Sequence, residues 1–75
     1  MMFRPYSVVI EYKEPDNPKL FVDVYWIRAW NAEDAKRRCR KEIEDGKGIP
    51  VRVAIKGTKL YDQILEESRA RLMRR

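Results

Sequence analysis

The sequence predicts an α+β fold of ββαβα order: a three-stranded antiparallel sheet, strand order 2-1-3, with one helix on a face and a C-terminal helix covering the other face or a partner. Two alternating segments flank a loop bearing two prolines, the pattern of a hairpin. An asparagine then opens a stripe at helical spacing, a third alternating segment follows, and a second helical stripe ends the chain. A right-handed crossover from the hairpin to the third strand puts the first strand in the middle. Both of its neighbours then run antiparallel to it.

The first strand reads from Tyr6 to Lys13, with Tyr6, Val8, Ile10 and Tyr12 on one face and Ser7, Val9, Glu11 and Lys13 on the other. Pro15 and Pro18 around Asp16-Asn17 cannot continue a ladder, so residues 14–18 form the loop. The second strand lies within Leu20–Trp30. Asn31 is the N-cap of the first helix, and Glu33 and Asp34 suit the positive end of its dipole. Ala32, Ala35, Cys39 and Ile43 make a narrow apolar stripe, and Gly46 is expected to supply a left-handed stop. Val51, Val53 and Ile55 alternate with Arg52, Ala54 and Lys56 in the third strand, which Gly57 ends. From about Tyr61 the residues Ile64, Leu65, Ser68 and Leu72 follow helical spacing, with Asp62 near the start and arginines at the end. Residues 1–75 read as one domain, with 69–75 as a frayed basic tail.

The second strand is unusual because both of its faces are apolar. One collects Phe21, Asp23, Tyr25, Ile27 and Ala29; the other collects Leu20, Val22, Val24, Trp26, Arg28 and Trp30. A sheet with one wet face alternates apolar with polar, so something must cover the second face. Ile27 and Ala29 precede the N-cap closely, which turns their side under the first helix. Val22, Val24 and Trp26 are left for the C-terminal helix, a second copy of the chain, or a partner. Trp30 is expected in the core and Trp26 at an interface.

Composition narrows the chemistry. The chain has 75 residues, one cysteine and no histidine, which rules out an internal disulfide and Cys/His zinc frameworks. A single cysteine and a start, MMFRPYS, without an apolar signal-peptide core point to the reducing cytoplasm. No apolar run approaches the roughly 18–20 residues that span a bilayer, so no membrane partner is expected. Neither GxGxxG nor a P-loop is present among the three glycines, and no cofactor or metal is expected. Cys39 lies in the apolar stripe and reads as buried filler rather than a nucleophile. Glu11, Glu14, Asp16 and Asp23 lie near one hairpin, but no spacing fixes a catalytic pair. The expectation is a binding module, not an enzyme.

The net charge of +5 arises entirely in residues 47–75. Lys36, Arg37, Arg38, Arg40 and Lys41 are matched by acids at helical spacing: Glu33 to Arg37, Asp34 to Arg38, Arg38 to Glu42, Arg40 to Glu44, Lys41 to Asp45. Lys47, Arg52, Lys56 and Lys59 have no acid within residues 47–61. With Arg71, Arg74 and Arg75 they form the expected contact set for an acidic partner, most plainly nucleic acid or a ribonucleoprotein. Arg52 and Lys56 would project from one outer sheet face that Trp26 could share. The other reading is an edge strand guarded by cations. The competing function class is a protein-interaction module, for instance a small phage-type modulator of a host complex or a virion accessory subunit. That class would use Val22, Val24 and Trp26, and a homodimer through the same face belongs to it.

Overall fold

The computed structural model describes residues 2–73. Strand β1 (Arg4–Lys13) is central, paired antiparallel with β2 (Phe21–Ala29) on one side and β3 (Ile49–Ile55) on the other. Helix α1 (Ala32–Asp45) connects β2 to β3, and α2 (Lys59–Met73) follows β3. The α+β class, the ββαβα order and the 2-1-3 sheet are therefore as the sequence predicts. Flanked on both edges and covered on both faces, β1 buries every residue from Ser7 to Glu11.

The join from β2 to α1 is a reciprocal cap. The Asn31 side-chain oxygen accepts the Asp34 amide at 2.8 Å, and the Asp34 carboxylate accepts the Trp30 amide at 3.1 Å. Beyond it, Ala35, Cys39 and Ile43 pack against Val8, Ile10 and Ala29, ringed by Tyr6, Tyr12, Tyr25, Ile27, Val53 and Ile55. Short side chains on the helix stripe let it lie close to the strands. Trp30 is not core: it is half exposed and meets Phe3 edge-on at 4.7 Å. It falls past the end of β2, where the chain already turns outward to cap the helix.

Two local expectations are corrected. Gly46 has φ −87° and is not left-handed; the left-handed residue is Lys47, at φ 70°. Gly48 is required for closeness instead, since its amide bonds to the Ile43 carbonyl at 2.9 Å and a Cβ there would lie 2.6 Å from an Ile43 methyl. In β3 the register with β1 shifts: Glu11 faces Arg52 but Tyr12 faces Pro50. Val51 is left without an opposite residue and is exposed, so only Val53 and Ile55 join the α1 side.

Gly57, at φ 99°, turns the chain out of β3, and the Thr58 hydroxyl accepts the Tyr61 amide at 3.3 Å. This cap starts α2 two residues before the expected Tyr61. Tyr61 and Ile64 then close over Val9 and Ala54, with Val22 and Leu65 at the margin. The helix continues to Met73 and so includes residues 69–73. Arg74 and Arg75 lie outside the described residues.

Candidate interaction site

The second sheet face is built in rows across the strands. Val22, Val24 and Trp26 of β2 stand opposite Glu11, Val9 and Ser7 of β1. Arg52 and Ala54 of β3 stand opposite Glu11 and Val9, and the Lys56 amide bonds to the Ser7 carbonyl at 2.9 Å. Helix α2 starts over the Ser7 end, where the Tyr61 hydroxyl lies 3.3 Å from that of Ser7. Its far end reaches residues 18–20, where Pro18, Lys19, Leu20, Ser68, Arg71 and Leu72 line an open groove. The helix thus runs chiefly over β1 and β3 and meets β2 only near Val22. It does not cover the rest of β2: Val24 is 47% exposed and Trp26 72%. Of the residues expected at a protein interface, Val24 and Trp26 are open and Val22 is half-buried under α2.

The basic set is dispersed and partly engaged. Glu11, only 2% exposed, takes both nitrogens of a bidentate Arg52 contact at 2.7 and 3.0 Å. Arg52 also binds Glu67 at 2.6 Å, and Arg71 approaches Glu11 at 3.7 Å. Hydrogen bonds donated by Arg52 and then Gln63 lower the Glu67 pKa, while those that Arg52 donates to Glu11 and then Glu67 raise its own. The expectation that Arg52 has no acid nearby is thereby corrected: its acids come from β1 and α2, elements remote in sequence. Lys47, Lys56 and Lys59 are exposed and join no ion pair among the described residues. Lys47 precedes β3 and the other two follow it, so a strand of seven residues, about 20 Å long, separates them.

On α1, Asp34 pairs with Arg38 at 2.9 Å and Lys41 with Asp45 at 3.6 Å, both as predicted. Glu33 takes Lys36 rather than Arg37, and Arg37 turns to Asp34. The Trp30 amide, with Arg38 and Arg37, holds the Asp34 carboxyl down at about 2. The expected pairs of Arg38 with Glu42 and Arg40 with Glu44 do not form among the described residues, so Lys36, Arg37, Arg38 and Lys41 are paired locally and Arg40 is not. Cys39 is fully buried, and desolvation pushes its thiol up to about 11, so it is no thiolate at neutral pH. Asp23 accepts the Tyr12 hydroxyl at 2.7 Å, which with burial lifts that phenol to about 12. No group of three metal-ligating side chains exists among the described residues, and no helix there is long and apolar enough to cross a membrane.

Comparison with protein-family models, curated proteins and solved structures returns no match to this chain. The site rests on its own geometry. Sequence reasoning missed Glu11 as the organising charge of the second face. Its signal was present: an acid directly after the apolar run from Val8 to Ile10, on the face that a second helix must close.

Proposed function

We propose that this protein is a non-enzymatic protein-interaction module whose docking surface is the outer part of β2. The observation that carries this reading is the open pair of Val24 and Trp26, left bare by a helix that covers the β1 and β3 part of the same face. A tryptophan set in a desolvated contact commonly contributes about 2 kcal/mol or more to association. Its exposure in the isolated chain is matched to that use, because burying it removes a large apolar area from water. The buried cysteine accords with a reducing cytoplasm as the setting.

The test uses the tagged full chain and its Trp26→Ser variant as baits in cells of its source, with nuclease and at high salt. Capture of a defined protein by the unmodified chain only, persisting after nuclease and in salt, supports the reading. Equal capture by both baits, or capture that nuclease abolishes, overturns it.

A second reading, contact with nucleic acid or a ribonucleoprotein, is favoured by one observation. Trp26, Ser7 and Lys56 form one row across the sheet, and Lys56 and Lys59 are exposed at that end without acidic partners. An aromatic ring beside free ammonium groups suits a stacked, negatively charged strand. Arg52 and Arg71, held by Glu11, have less to offer it.

A further inference from the structure

The two edges of the sheet are treated differently. On β3, Pro50 removes a backbone donor, and the displaced Val51 breaks the register. On β2, nine residues from Phe21 to Ala29 run without proline, lysine or register shift. The Lys56-to-Ser7 bond sets the phase of the ladders. Ser7, Val9 and Glu11 direct their amides and carbonyls to β3, so Tyr6, Val8 and Ile10 serve β2. In β2, therefore, Ile27, Tyr25 and Asp23 point back to β1, and Val22, Val24, Trp26 and Arg28 point their backbone groups outward. The residues with free backbone groups include the two with exposed apolar side chains.

Resting on the reading that β2 is an interaction surface, we infer that its partner is a second copy of this chain, added strand to strand. Two β2 strands paired antiparallel about Tyr25 would join two three-stranded sheets into one of six. This register pairs all nine residues and sets Val24 against the partner's Trp26 on both sides of the axis. Each exposed apolar side chain then covers the other. The outward groups of residues 22, 24, 26 and 28 meet their counterparts in about eight main-chain hydrogen bonds.

Charge favours a second copy here. The chain carries +5, yet residues 15–30 balance Lys19 and Arg28 against Asp16 and Asp23. Self-association is least opposed at that neutral segment. About Tyr25, Asp23 faces Ile27 and Arg28 faces Val22, so no like charges meet, whereas an axis at Asp23 would set that carboxylate against its own copy.

The experiment is sedimentation equilibrium of the full chain across micromolar to millimolar concentration. Trp26→Lys and Val24→Pro are compared with Val51→Lys, which places a charge on the opposite edge. Val24→Pro deletes an outward donor and leaves the bonds to β1 intact, and Trp26→Lys changes an exposed side chain, so circular dichroism should be unaltered. The expected result is twice the chain mass for the unmodified protein and Val51→Lys, and single mass for both β2 variants. Amide exchange at Val24 and Trp26 should slow at least tenfold as concentration rises through the transition. A dimer that survives both β2 variants overturns the edge assignment. A monomer at every concentration whose bait still captures another protein through Trp26 overturns self-pairing alone. A monomer with no such capture overturns both this inference and the interaction reading beneath it.

Discussion

Burial of a carboxylate has to be offset by cations and hydrogen bonds, and Glu11 obtains both from Arg52 and a weaker contact from Arg71. Replacing Arg52 with methionine strands that carboxylate. Breaking a buried pair costs roughly 3–5 kcal/mol, and partial exposure of Arg52 with Arg71 still at hand reduces the expected loss to about 2–3 kcal/mol. Urea unfolding of Arg52→Met checks this, and Glu11→Leu combined with it should recover most of the loss. Little change in the single variant would mean that the network contributes nothing. Asp34 makes a pH statement. Its carboxyl falls from an ordinary 3.8 to about 2 in the fold, so its contribution is complete above about pH 4 and disappears as pH drops through about 2. In melting curves the gap between the parent and Asp34→Asn should therefore narrow from pH 5 to pH 2; a constant gap contradicts the assignment. At the end of α1 the turn was legible in Asp45-Gly46-Lys47-Gly48, but not which residue would go left-handed. The room left beside Ile43 excludes a side chain at residue 48, and the positive φ falls on Lys47.

At the scale of elements, legibility followed locality. The stripe of α1 and its cap at Asn31 depend on residues three and four apart, and both were readable. The double apolar pattern of β2 announced a second cover. Where that cover would lie was not readable, because the path of α2 is set by Gly57, the Thr58 cap and the fit of Tyr61 and Ile64 over Val9 and Ala54. A helix with two buried residues is anchored at its N-terminal half, leaving Leu72 exposed. Ile64→Ala removes its central contact and should lower stability by about 2–5 kcal/mol, measured by chemical denaturation. Deleting residues 62–75 goes further: it strips the cover from Val9 and Ala54 and takes Glu67 and Arg71 from the ion-pair network. That chain should aggregate or bind a hydrophobic dye, and unchanged melting as a monomer would show that α2 packs nowhere important.

Across the whole molecule the charge surplus and the apolar opening lie in different parts of the chain. Residues 47–75 hold the surplus, whereas β2 lies in a segment of balanced charge. A count along the sequence could not see that Arg52 faces a β1 acid, since opposing residues there are 41 positions apart. Once folded, the members of the basic set that join no ion pair among the described residues are Lys47, Lys56 and Lys59, and of these Lys56 and Lys59 share an end of the sheet with Trp26. If nucleic acid binds at all, neutralising this pair should weaken it alike for every sequence. The dependence of log affinity on log salt should then fall by roughly 0.7 per lost contact for a single strand. Arg37→Gln with Arg38→Gln should change that slope little, because both arginines are already tied to Asp34. The measurement is fluorescence anisotropy of a mixed single-stranded oligonucleotide at two or more salt concentrations, using both double variants and the parent. A steep parental slope that survives Lys56→Gln with Lys59→Gln would remove this end of the sheet as the contact. Absence of binding by the parent at low salt would leave the interaction reading through β2 unopposed.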